Sequence, residues 1–258
     1  SIISTDQNIL KNFKNVVKQC DLEIDNIVYT PYAIGLSLLS DEEKELGVAL
    51  LDIGSTLTSL SIFYNGAILH TKIIPLGGNM ITNDISRIFS LSISDSERIK
   101  IINGQLIEEL ENSLSVIEVD SLGGEYDSIE ITRKDLIAVI KPRVNEIINS
   151  IKDQIIKSGY NHLIANRVVI TGGAAQMEGL IDITSKTLEK KARLGKANII
   201  KGVPDNMRSS SFTVINSLLT YSMITNNDIS SKSITKKNKP EGFNAYILKF
   251  KNWIIENF

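Results

Sequence analysis

Asp52-Ile53-Gly54, followed by Ser55-Thr56, is the stretch whose residue types could do chemistry. An apolar run from Gly47 to Leu51 leads into it, and a second β-like run, Leu57 to Phe63, leads away. Backbone N–H groups, hydroxyls and one carboxylate at such a turn are the parts that hold a phosphate and its metal ion. Asp, Gly and Ser are also ordinary turn formers, so these residues alone suit a plain β-hairpin equally well. A second candidate is Val169-Ile170-Thr171-Gly172-Gly173. A strand that ends in two glycines and enters a helix lets a ligand approach the backbone, and the helix N-terminus favours anions. It is not a GxGxxG fingerprint. Two such turns, each leaving a strand of one sheet, can face a single cleft.

Other candidates are sparse. His70 and His162 are the only histidines, and neither has ligand spacing to the other or to the single cysteine, Cys20. Neither a metal-protein site nor a nucleophilic triad is indicated. Cys20 falls on the apolar side of an expected helix and reads as core; one cysteine forms no internal disulfide and suits a reducing compartment. The acids between Asp41 and Asp52 read as a solvated turn, Asp52 excepted. Across 258 residues the net charge is −2, which argues against a dominant nucleic-acid surface. No apolar run approaches the ~18 residues of a membrane span. With no initiator Met and no signal-peptide pattern, the chain is expected to begin inside a longer protein.

The positioning elements follow from periodicity. Ile2-Ile3 reads as the end of a strand. A helix capped by Ser4 or Thr5 is expected through Cys20, with Ile9, Leu10, Phe13, Val16 and Val17 on its buried side. Leu22 to Val28 alternates as a strand. Pro31 opens a helix, and Ser40-Asp41-Glu42-Glu43 is a capping box. Asn65-Gly66 is a hairpin signal, so a third strand, Ala67 to Ile74, should pair back. Helices are expected from Met80 to Phe89 and Ser94 to Ile102. Short β-like pieces follow at Ser115 to Val119 and Ser128 to Ile131. Thr132 caps a long helix that Pro142 should kink or break. Arg167 to Thr171 is a buried strand, with a helix after it to about Lys190. Residues 192–194 and 198–200 read as short strands, and Ser211 to Tyr221 as an apolar helix. Asn226 to Gly242, rich in Ser, Asn and Lys, reads as a flexible linker.

In Phe243 to Phe258, Trp253, Tyr246, Phe243, Phe250, Ile254, Ile247 and Phe258 share an arc of about 140° on a helical wheel. Lys249 and Lys251 stand at its borders, where cationic stems can snorkel to lipid headgroups. With the linker lysines Lys232, Lys236, Lys237 and Lys239, this segment fits a weak anchor on an anionic membrane surface. Stable attachment would need several copies through self-assembly.

The order and wording of these pieces resemble the actin-like nucleotide-binding superfamily, and within it the FtsA family of bacterial cell-division proteins. The resemblance rests on Glu45-Leu46-Gly47, the Asp52 turn, and His70 to Pro75 followed by Gly77-Gly78-Asn79. It continues through Thr82 to Ile85, Ser96-Glu97-Arg98-Ile99-Lys100, Thr171 to Gly179, and the lysine linker with its amphipathic end. It covers nearly the whole chain.

The resemblance implies an α/β fold of the actin-like, ribonuclease-H-like kind: the second lobe, with an inserted subdomain and a C-terminal amphipathic helix. Residues 1–29 would end a small interaction subdomain, and 30–45 would be a linking helix of the first lobe. Residues 46–75 and 166–225 would form the second-lobe core, and 76–165 the insertion. ATP and Mg²⁺ are the implied cofactors. Asp52, Ile53, Gly54, Ser55 and Thr56 would form the second phosphate turn, with Asp52 near the metal through a water. Gly172 and Gly173 would form the adenosine turn. Glu97 and Lys100 would lie over ribose and base; an exposed i, i+3 ion pair fits them as well. The family's phosphate turn usually continues Gly-Gly-Thr, whereas this chain has Ser55-Thr56-Leu57. The superfamily's first phosphate turn has no counterpart here. The implied function is a cell-division scaffold that tethers FtsZ filaments to the cytoplasmic face of the cell membrane at the division site. It would bind the FtsZ C-terminal tail, itself and other division proteins, and be at most a slow ATPase. The rival readings are a phosphotransferase of the same superfamily and an actin-like pilus-assembly protein.

Overall fold

The computed structural model describes residues 3–107, 115–120, 128–196 and 200–236. Residues 198–199 of the short strand expected at 198–200, residues 237–242 of the expected linker and the amphipathic segment 243–258 lie outside the described residues. At the centre stands a five-stranded sheet of order β3-β2-β1-β6-β7. Its strands are β1 (Val48–Ile53), β2 (Thr58–Tyr64), β3 (Ala67–Ile74), β6 (Arg167–Thr171) and β7 (Lys191–Leu194). β1 pairs antiparallel with β2 and parallel with β6, so Asp52 lies beside Ser59 on one side and Thr171 on the other. β1 is therefore central, which explains why it reads as an unbroken apolar run rather than an alternating one. The β2–β3 hairpin closes through Asn65 and Gly66, both at positive φ, as a two-residue turn of this kind requires.

Alternate β1 residues enter two cores. Ala49, Leu51 and Ile53 face one, with Leu60, Ile62, Val168 and Ile170. Val48 and Leu50 face the other, with Phe63 and Val169. The first core is covered by α4 (Gly78–Phe89), α5 (Ile93–Asn103), α6 (Arg133–Lys157) and α7 (Leu180–Leu188). The second is covered by α2 (Thr30–Leu38) and α8 (Thr213–Lys236). The result is a three-layered helix–sheet–helix arrangement. β4 (Val116–Asp120) and β5 (Ser128–Thr132) form a separate antiparallel pair ahead of α6.

Five expectations need correction. α1 (Gln7–Gln19) forms, capped by Asp6, but no residue of it is buried; Phe13 is 69% exposed and Cys20 is exposed. An amphipathic pattern says that a face is suited to cover, not that the described residues supply the cover. Leu22 to Val28 carries no strand, because a strand needs a ladder partner and none of the described residues provides one. Pro142 sits inside α6 without ending it. Pro142 is exposed, while Leu136 and Ile140 before it and Val144 and Ile147 after it are buried, so both halves of the helix pack on the core and the expected break does not occur. α8 continues past Tyr221 to Lys236, into the stretch read as linker, because no Gly or Pro interrupts propagation before Pro240. Glu43, read as solvated, is buried. α3 (Asp41–Leu46) has the expected capping box with Ser40, and Arg193 of β7 binds both Glu43 oxygens, at 2.9 and 2.6 Å. Burial works to raise the Glu43 pKa, but the hydrogen bonds from Arg193 and the Ser40 N–H outweigh it and hold it below the usual range.

Candidate functional site

The carboxyl ends of β1 and β6 lie side by side, and the two sequence turns leave from them. They touch. Gly172 has φ of 96°, and a Cβ there would lie 2.4 Å from the Ile53 carbonyl oxygen and 2.6 Å from Asp52 Oδ1. Only glycine satisfies both the backbone conformation and the approach. The chain then makes a 3₁₀ turn, Gly173–Gln176, before α7 begins at Leu180. The expected direct entry from strand into α-helix is thus replaced by a tighter turn.

The first turn is closed by the Gly54 N–H, which donates to the Leu57 carbonyl at 2.9 Å. It is tied to α4 by two further bonds: the Gly78 N–H donates to the Gly54 carbonyl at 2.9 Å, and the Asn79 N–H to the Ser55 carbonyl at 2.7 Å. These are N-terminal helix amides that would otherwise lack partners. Thr58 fixes the other side, donating to the Leu76 carbonyl at 2.7 Å.

A cavity of about 260 Å³ opens between these pieces. Gly54, Ser55 and Gly78 line one end. Glu97, Lys100 and Ile101 of α5 form one wall; Gly173, Gln176 and Ser211 belong to the facing turns. Of the residues singled out in the sequence, Gly54, Ser55, Gly173, Glu97 and Lys100 line this cavity. Asp52, Ile53, Thr56 and Gly172 do not. The Ile53 side chain is buried in the core, Thr56 is exposed at the turn, and Gly172 is buried beneath the junction. The sequence reading missed Gln176 and Ser211, joined by a 2.6 Å hydrogen bond, as well as Ile101. Gly78 and Gln176 stand inside the quoted stretches, but nothing local marks them as cavity residues.

Glu97 and Lys100 form the i, i+3 pair at 2.6 Å, yet it is more than a surface pair. The Lys100 side chain is only 10% exposed. Its ammonium also donates to Thr82 Oγ1 at 2.8 Å and to the Gly78 carbonyl at 3.2 Å. Thr82 donates to Glu97 as well. For Glu97, burial works to raise the pKa, but the Lys100 and Thr82 hydrogen bonds outweigh it and keep the carboxyl ionised below the usual range.

Asp52 is different. It is half-buried, burial alone pushes its pKa up, and among the described residues no hydrogen bond or ion pair to its side chain is found. A carboxylate desolvated without a partner is the condition that a nearby cation relieves. The donor chemistry at the two turns therefore fits a phosphorylated ligand with a hard metal ion.

The topology and cavity define an actin-like α/β protein. The fold matches MreB5 of Spiroplasma citri bound to ADP, with a TM-score of 0.69 at 16% identity, covering 88% of this chain and 68% of that one. It also matches the PilM-PilN type IV pilus biogenesis complex, at 0.62 and 17%, over 83% and 58%. Within that class, the model of the cell division protein FtsA matches residues 49–217, and the chain belongs to the FtsA family. It is 32% identical to the cell division protein FtsA of Pseudomonas aeruginosa and 29% identical to that of Escherichia coli, over its whole length in both cases. It spans 62% of the length of each of these relatives.

Proposed function

We propose that this chain is the nucleotide-binding second lobe and membrane-proximal end of an actin-like division scaffold, one that tethers FtsZ filaments to the cytoplasmic face of the membrane at the division site. The observation that carries the reading is the convergence of the Gly54-Ser55 turn, the Gly173 turn and the α5 wall on one cavity, in a chain of the FtsA family. ATP would lie with its phosphates toward Gly54 and Ser55 and its nucleoside toward Glu97, Lys100 and Gly173. When bound, the nucleotide supplies the charge and bulk that link the lobe to its neighbours, and thereby self-assembly. Asp52 would hold Mg²⁺ through a water. Thr56, exposed beside Ser55, offers a further hydroxyl to phosphate, in place of the family's glycines.

The remaining assignments follow the family. Residues 76–165 would be the subdomain that recognises the FtsZ tail, 1–29 the end of a small interaction subdomain, and 243–258 the amphipathic anchor. No described helix is long and apolar enough to cross a membrane. The test uses the whole protein that carries this chain, with FtsZ filaments and anionic liposomes in a flotation assay. Filaments should float with the liposomes only when residues 243–258 are present. Filaments that float equally well without them contradict the tether.

A further inference from the structure

The chain contains two Asn-Gly pairs, Asn65-Gly66 and Asn103-Gly104. Asparagine before glycine has a reaction of its own. The glycine N attacks the asparagine Cγ, since no side chain shields that nitrogen. A bond from N to Cγ forms, the bond from Cγ to the side-chain nitrogen breaks, and ammonia leaves with the proton of the glycine N–H. Water then opens the cyclic imide at either carbonyl and leaves aspartate or isoaspartate. The glycine nitrogen must be free to swing toward Cγ, and at Gly66 it is held. Asn65 and Gly66 are both exposed and stand at positive φ, 49° and 71°, in the tip of the β2–β3 hairpin. The Gly66 N–H donates to the Lys44 carbonyl and the Asn65 N–H to the Glu45 carbonyl, each at 3.1 Å. These carbonyls belong to the last turn of α3, where a helix cannot supply its own donors. The hairpin tip and the helix end thus complete one another. α3 has only six residues, Asp41–Leu46, and is held by the Ser40 capping box and by the Arg193–Glu43 pair.

We propose that Asn65 is a modification site: it deamidates spontaneously, with water as co-reactant, at a rate set by how often α3 releases the hairpin tip. The opening that exposes the Gly66 N–H to solvent exchange also frees the Gly66 nitrogen to attack, so the two processes share one gate. The product does not fit the closed form. It carries a new carboxylate beside Glu45, whose Oε2 is 3.8 Å from where a Cβ on Gly66 would lie. The isoaspartyl form also adds a methylene to a backbone that two residues must reverse. The site lies at the amino end of β1, away from the cavity at its carboxyl end, and so is separate from the nucleotide reading. Asn103-Gly104 ends α5, where the Gly104 N–H donates to the Lys100 carbonyl at 3.1 Å; its gate is α5, which makes it an internal control.

The experiment incubates the whole protein that carries this chain at mildly alkaline pH, folded and unfolded in guanidinium. Mass spectrometry follows the mass gain and isoaspartate content of the peptides around Asn65 and Asn103. Asn65 should convert about 30-fold more slowly in the folded protein, the factor for two backbone hydrogen bonds of ordinary net strength. Exchange of the Gly66 amide should be slowed by a similar factor. Ser40→Ala removes the helix cap and should speed conversion at Asn65 about fivefold, with Asn103 unchanged. Conversion as fast in the folded protein as in the unfolded one overturns the proposal. So does a folded protein still unmodified long after that factor predicts full conversion, and so does an Asn65 rate that Ser40→Ala leaves unchanged. Equal acceleration at Asn65 and Asn103 would mean that the whole fold opens, and it overturns the α3 gate. Should Ser40→Ala not fold, exchange in the unaltered protein decides, because an unprotected Gly66 amide overturns the gate.

Discussion

Gly172→Ala and Gly173→Ala are adjacent, chemically identical substitutions that should fail in different ways. At Gly172 the added methyl meets the Ile53 carbonyl at 2.4 Å and Asp52 Oδ1 at 2.6 Å, with φ at 96°. A non-glycine residue held in that region costs about 1–3 kcal/mol, and overpacking against backbone costs about 1–3 kcal/mol more. The two add to roughly 2–6 kcal/mol, a large share of the ~5–15 kcal/mol that holds a domain folded. At Gly173 the backbone is ordinary and the nearest atom, Ser211 Oγ, is 3.5 Å from the added carbon. Its stability cost should stay below about 1 kcal/mol, while the methyl takes space from the cavity and weakens nucleotide binding. Urea denaturation followed by circular dichroism, with slopes compared, gives the stability of each variant. If Gly172→Ala lies within about 1 kcal/mol of wild type, or Gly173→Ala falls as far as Gly172→Ala, the packing account of the two turns is wrong.

Arg193→Ala should destabilise the fold by about 2 kcal/mol, because Glu43 stays buried; the figure is below that of a fully buried pair since Arg193 is 42% exposed. The Glu43 pKa is lowered in the fold, so its contribution is full above its unfolded pKa of about 4.5 and fades as pH falls through the lower folded value. Urea midpoints across pH 3–7 should therefore converge for wild type and variant at the acid end; a constant gap contradicts this. Asp52 has the opposite sign. Its raised pKa means that stability falls as pH rises from about 4 through the folded value, so Asp52→Asn should hold or raise the thermal midpoint at pH 7 while losing Mg²⁺-dependent ATP affinity. A lower midpoint, or unchanged Mg²⁺ dependence by calorimetry, counts against the assigned role.

The central hairpin was legible because β1 is buried on both faces and Asn65-Gly66 admits few turns. The paired turns were legible for a similar reason: glycine at Gly172 is dictated by backbone geometry, and that geometry is local. Glu43 was not, since its partner Arg193 lies on β7, far along the chain, and nothing in an acidic run announces which member will be buried. α1 shows the converse limit. Its spacing gave the helix, but periodicity carries no information on whether Ile9, Phe13 and Val16 find cover among the described residues. Lys100 was read as lying over ribose and base or as half of an exposed ion pair; its bond to Gly78 depends on how α5 packs on α4, which spacing within α5 does not encode.

The central claim is that the cavity between Gly54, Glu97 and Gly173 holds a nucleotide. Isothermal titration of ATP into the whole protein with Mg²⁺, run beside Gly173→Ala, tests it most directly. Saturable binding by the wild type, weakened about tenfold or more in a Gly173→Ala protein of unchanged stability, is the predicted result. No binding by the wild type at millimolar ATP, or equal binding by both proteins, would contradict it.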